Sequence, residues 1–146
     1  MKVSKFFNSS QQKKIFYAIR SAEKKTSGEI VIHIENHCKE DVLQRSKVVF
    51  DELNMSETEH KNGVLIYLAV IDKKFAIIGD EGIDKVTPDD FWDSIRDILQ
   101  VYFKNNDFTN GLIEAVNMIG EKLEEYFPYQ SNDINELADK ISFYDN

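Results

Sequence analysis

Apolar positions recur along this chain in two periods, and the switches between them outline the fold. Ile15, Phe16, Ile19 and Ala22 return at helical spacing in a segment that Ser9 or Ser10 caps, that runs to about Lys25, and that Gly28 follows. Residues 29–35 then alternate. Ile30, Ile32 and Ile34 face one way and Val31 and His33 the other, which predicts a strand with His33 packed beneath a helix. A second helix is expected over roughly 40–53, with Val42, Leu43, Val49, Phe50 and Leu53 on its buried stripe. Residues 56–59 read as a capping-box turn or a single helical turn. Residues 63–70 are almost wholly apolar, as in a central strand covered on both faces. Asp72-Lys73-Lys74 turns the chain into a hairpin partner over 75–79.

An acidic loop follows, and Thr87-Pro88-Asp89-Asp90 reads as a helix start with Thr87 as its cap. That helix carries Phe91 and Trp92, expected as core anchors, then Ile95, Ile98, Leu99 and Tyr102. After the polar break 104–107, Leu112, Ile113, Val116, Ile119, Leu123 and Phe127 mark a helix from about Asn110 to Tyr126, stopped by Pro128. A weaker terminal helix is expected over Asp133 to Ile141, within a helical extension 129–146. No repeat or long linker divides the chain, so 1–146 reads as one α/β domain. A helix between the first two strands predicts a parallel crossover, and the hairpin adds an antiparallel strand to a small mixed sheet.

That topology brings distant residues together. Parallel first and second strands start at one sheet edge, at Glu29 and at Asn62-Gly63, and the third strand returns there at Gly79-Asp80. Glu29, Asn62, Asp80 and Glu81 therefore converge, with Asp84 and the helix start at Asp89, Asp90 and Asp93 beside them. From Asp80 to Asp97 there are seven acids (80, 81, 84, 89, 90, 93, 97) against Lys85 and Arg96.

Composition narrows the chemistry. At 146 residues with 42% hydrophobic positions the chain can bury one core without disulfide or metal. Its formal net charge of −8 repels nucleic acids and anionic membranes, and leaves cations as natural small partners. The one cysteine, Cys38, excludes an internal disulfide and a Cys-rich zinc site. The longest apolar run, 63–71, is a strand's length and not a membrane span. A cytoplasmic monomer without membrane insertion is expected. Gathered carboxylates beside a Gly-containing loop suit calcium, or magnesium, both oxygen-seeking ions. The EF-hand pattern is absent. The alternative is that Asp89 and Asp90 only cap a helix and the other acids are solvated.

Thr26-Ser27-Gly28-Glu29-Ile30-Val31, Asn62-Gly63-Val64-Leu65-Ile66 and Ala76-Ile77-Ile78-Gly79-Asp80-Glu81-Gly82-Ile83 resemble, in order and spacing, the signature segments of the TPM-domain family. Phe91-Trp92, Phe103, residues 107–111, Leu123 and Phe127 extend the likeness over roughly 8–128. The resemblance implies an α/β/α sandwich around a small mixed sheet, calcium in an acidic cleft at the sheet edge, and, for some members, acid phosphatase activity. Glu29, Asn62, Asp80 and Glu81 fall on signature positions. Asp84, Asp89, Asp90 and Asp93 join them by proximity alone.

Two functions follow as expectations. One is a cation-binding module whose acidic loop is ordered by the ion and serves a protein partner. The other is a metal-assisted phosphomonoesterase using the same cleft, with His60 or Lys61 as proton source or clamp. The chain holds no phosphate-binding glycine loop, Cys-x5-Arg motif or Asp-x-Asp-x-Thr motif to support the second. A His37-Cys38 pair at the far end of its strand lacks a third partner.

Overall fold

The computed structural model describes residues 2–130 and 140–146. The helices are α1 (Ser9–Glu23), α2 (Val42–Glu52), α3 (Glu81–Asp84), α4 (Asp93–Lys104) and α5 (Phe108–Tyr126). The strands are β1 (Glu29–Glu35), β2 (Gly63–Ala69), β3 (Lys74–Gly79) and β4 (Ile141–Tyr144), in the spatial order β3-β2-β1-β4. The expected crossover is present: β1 and β2 run parallel with Glu29 opposite Gly63, and β3 returns antiparallel with Gly79 opposite Val64.

The sheet lies between two helical layers because its strands alternate. Ile30, Ile32, Ile34, Val64, Ile66 and Leu68 enter the larger core with α1, α4 and α5. Val31, Leu65, Tyr67 and Ala69 enter a smaller core with Val49 and Phe50 of α2. The result is an α/β/α sandwich. Helix α5 reaches α1 through a glycine, since a Cβ on Gly120 would lie 2.8 Å from that of Ala22. Phe91 and Trp92 are buried in the larger core, ring against ring at 4.7 Å.

Three local expectations are corrected. Asn8, not Ser9 or Ser10, caps α1: its side chain accepts from Gln11 N at 2.8 Å while Gln11 Oε1 accepts from Asn8 N at 2.8 Å. Thr87 caps nothing, because its hydroxyl donates back to the Ile83 carbonyl at 2.8 Å and α4 opens at Asp93, once Phe91 and Trp92 are seated. Of the terminal helix expected over Asp133 to Ile141, residues 133–139 lie outside the described residues. Ile141 opens a strand instead, with β4 pairing parallel to β1 from Ile32 opposite Ile141 to Glu35 opposite Tyr144.

Candidate functional site

The predicted sheet edge forms as a backbone fact. Glu29 N donates to the Asn62 carbonyl at 3.4 Å, and Asp80 N donates to that of Gly63 at 3.0 Å. The side chains then divide. Glu29 is buried and turns away from β3 toward β4, where Lys140 Nζ lies 3.4 Å from Glu29 Oε1 and 2.9 Å from Glu23 Oε2. Burial raises the Glu23 carboxyl against the pull of Lys140. Asn62 is buried and donates to Ser27 Oγ at 3.3 Å.

Asp80 caps α3, with Oδ1 accepting from Glu81 N at 2.7 Å. Its other oxygen, Oδ2, is buried and has no hydrogen-bond partner among the described residues. Glu81 and Asp84 are exposed on α3, and the Asp84 carboxyl is raised by the partial desolvation it has against the turn and by the charge of Asp80. The loop before β2 presses against this turn. Lys61, in the left-handed region at φ 50°, offers its carbonyl to Gly82 N at 2.9 Å. A Cβ on Gly82 would sit 2.2 Å from the His60 carbonyl oxygen and 2.5 Å from that of Lys61. Backbone cannot yield as a side-chain tip does, so this position takes glycine only. Gly82→Ala is expected to cost about 1–3 kcal/mol, as overpacking does, and to expose amides 81–87 to hydrogen exchange while the sheet stays protected. A melt and an exchange profile indistinguishable from the parent would contradict the contact.

The later acids form a separate group. Asp89 and Asp90 are exposed in the turn before α4. Asp90, Asp93 and Asp97 line a cavity of about 390 Å³ with Lys122 and Glu125 of α5, and Asp93 pairs with Arg96 at 3.2 Å. Among the described residues no three His, Cys, Asp or Glu side chains are gathered closely enough to hold a metal ion as they stand. Asp80, Glu81 and Asp84 are the carboxylates of the α3 turn, which the Lys61 carbonyl of the crossing loop holds through Gly82 N.

A second polar centre, at the opposite end of the sheet, was not expected. Glu35 is fully buried and accepts from Arg45 Nε at 3.0 Å and Nη2 at 2.9 Å, from the Tyr67 hydroxyl, and shares a 2.9 Å bond with His33 Nε2. Burial alone would raise this carboxyl, but those bonds outweigh it and hold the group at about 2. The strand pattern marks only that His33 and Glu35 share the face opposite Ile32 and Ile34 and need polar partners there; the partners themselves, Arg45 and Tyr67, carry no local signal.

The comparisons agree with this architecture. The model of the TPM domain matches residues 2–122. The solution structure of BA42 protein from the psychrophilic bacterium Bizionia argentinensis is similar at 46% identity and a TM-score of 0.90, covering 95% of this chain and 96% of that one. The N-terminal domain of cg2496 protein from Corynebacterium glutamicum shares the fold, with a TM-score of 0.66 at 13% identity over 90% of this chain and 82% of that one. No curated protein matches. No helix among the described residues is long and apolar enough to cross a membrane.

Proposed function

This chain belongs to the TPM domain family, and from that premise we propose that it is a divalent-cation-binding module, taking calcium at the Asp80 corner. The observation that carries the reading is Asp80 Oδ2, a buried carboxylate oxygen without a hydrogen-bond partner among the described residues. A buried acceptor left so costs about 1–3 kcal/mol, and more when charged. A cation removes that cost. The Asp84 carboxyl, raised first by partial desolvation and then by the charge of Asp80, lies on the same turn.

The donor types fit calcium, which takes carboxylates and backbone carbonyls at flexible angles. Asp80 would be the fixed ligand, with Glu81, Asp84 and the carbonyls of the crossing loop completing the set. Asn62 and Glu29 brace the edge from behind, and Asp89, Asp90 and Asp93 add negative field nearby. Since Glu81 and Asp84 are exposed on a four-residue helix, they must be drawn in, so the ion orders the acidic turn and presents it to a protein partner. Magnesium, with its stricter octahedral demand, is expected to bind more weakly.

Calorimetric calcium titration of Asp80→Asn is the test. Asparagine keeps the cap of α3 and removes the charge, so affinity should fall tenfold or more with the fold intact. Equal affinity in parent and variant overturns the reading. Turnover of an aryl phosphate by the calcium-loaded parent, abolished in Asp80→Asn, would replace it with the phosphatase alternative.

A further inference from the structure

At the carboxyl ends of the parallel strands β1 and β4, about as far from Asp80 as the sheet allows, lies a cavity of about 700 Å³. This is the size of an ordinary small-molecule site, and the carboxyl ends of parallel strands are where open α/β sheets hold ligands. We propose that this cavity binds a small organic anion, its acidic group held by Arg45, Lys39 and His37 and its apolar body lying on Val49, Leu53 and Phe143.

The argument starts from Arg45. Glu35 takes Nε and Nη2 from below, and Tyr144 flanks the guanidinium with its ring centroid at 5.8 Å. The guanidinium is thereby held in one plane, and Nη1 has no protein partner among the described residues, although Arg45 lines the cavity. A planar donor already fixed by a buried carboxylate loses little further freedom on binding, which is what makes Arg a recognition group for carboxylate and phosphate. Its charge is permanent, since the Glu35 bonds raise the group still further.

The rest of the wall agrees. His37 lines it with one ring nitrogen, Nδ1, fixed on Asp72 at 3.0 Å. The Asp72 carboxylate, lowered by that bond, also accepts from Cys38 N at 2.7 Å, so the 36–38 corner is rigid. Asn146 closes the corner, accepting from the amides of Asn36 and His37 at 2.9 and 3.0 Å and donating to the His37 carbonyl at 2.7 Å. His33 offers only its ring, because both nitrogens are engaged with Ser142 and Glu35. Glu40 and Glu52 also line the cavity, and the charge of Glu52 acts on Arg45. They oppose a polyanion and favour a ligand with a single acidic group. Lys39 and Arg45 therefore balance the two lining carboxylates in a chain of net charge −8, and it is the fixed plane of Arg45, not an excess of positive charge, that selects the acidic group.

Amide spectra of the isotopically labelled chain in metal-free buffer, titrated with benzoate and separately with phenyl phosphate, test this. Saturable shifts confined to residues 36–45 and 142–146, with 80–84 unmoved, are expected for at least one probe, and which one responds distinguishes carboxylate from phosphate recognition. Lys39→Glu, at an exposed position, should weaken binding at least fivefold with an unchanged melt. Arg45→Lys keeps a charge for Glu35 but loses the planar fork, and should weaken it at least tenfold. No saturable shift with either probe, equal response to benzyl alcohol, or binding that both variants leave intact would each overturn the proposal. Because no calcium is present, failure here leaves the Asp80 reading standing, and failure there leaves this one standing.

Discussion

Glu35→Gln is expected to lower stability by about 3–5 kcal/mol, the usual result of breaking a buried ion pair by removing one partner. Wild-type Glu35 answers four donors from three side chains at once. The amide keeps its shape but not its charge, and its NH2 must either face the Arg45 guanidinium, which can only donate, or turn the Tyr67 hydroxyl or His33 around as an acceptor. Arg45 is left as an uncompensated cation whose side chain is 16% exposed. For a chain of this length the midpoint of a thermal melt should fall by about 10 °C or more. The pH dependence distinguishes this from a packing defect. The folded carboxyl is held at about 2 against an ordinary 4.5, a depressed value. Its contribution is therefore complete above about pH 4.5 and is lost as pH falls toward 2. Over that window wild type should lose about 3 kcal/mol more than the variant, at 1.36 kcal/mol per pKa unit. Parallel acid-unfolding curves would contradict the account.

Lys140→Met is the second large effect. Lys140 is 3% exposed and stands between two carboxylates, Glu23 at 2.9 Å and Glu29 at 3.4 Å. Methionine fills the volume and leaves two buried acids without their shared cation. A loss of about 3–5 kcal/mol at pH 8 is expected on the same grounds. Here the sign reverses. Burial already raises Glu23, and without the ammonium its carboxyl rises further. An acid raised in the folded state destabilises the fold as pH climbs above the ordinary range through the raised value, and the stability returns as pH falls. Melts of variant and parent should differ most at pH 8 and converge near pH 5, and Glu29→Gln in the variant should recover part of the loss. A constant difference at both pH values would show that the triad is not electrostatic.

Both predictions involve residues that local pattern does not mark. β1 was legible to the residue because Ile30, Ile32 and Ile34 alternate with smaller or polar positions. β2 was legible because seven consecutive buried residues are mostly β-branched or aliphatic. From those two strands and the helix between them, the convergence of Glu29, Asn62 and Asp80 at one edge followed by topology alone. Orientation did not follow. Lys140, more than a hundred residues from Glu29, takes that carboxylate, and no spacing rule announces it. β4 was missed because Ile141-Ser142-Phe143-Tyr144 is too short to show a period, and it exists through pairing with β1 rather than through its own propensity. Thr87 misled for a related reason. Its Pro-Asp-Asp context is a sound local start signal, but burying Phe91 and Trp92 delays the helix to Asp93. The acids 80–93 lie in two places because Ile83 and the Phe91-Trp92 pair anchor their segments separately in the larger core: α3 holds Asp80, Glu81 and Asp84, while Asp90 and Asp93 line a cavity against α5. The Glu35 centre asked for more than one strand could supply, since its donors come from α2 and β2 as well as β1.

The central claim, a calcium ion at Asp80, is tested most directly by a thermal melt of chelator-treated protein with and without millimolar calcium. An ion that binds only the folded chain stabilises it by RT ln(1 + [L]/Kd), about 2.7 kcal/mol at a hundredfold excess over Kd. The midpoint should rise by several degrees, by less with magnesium, and by about half that rise or less in Asp80→Asn, as a tenfold or greater loss of affinity requires. An unchanged midpoint with both ions, or an equal rise in the variant, would contradict it.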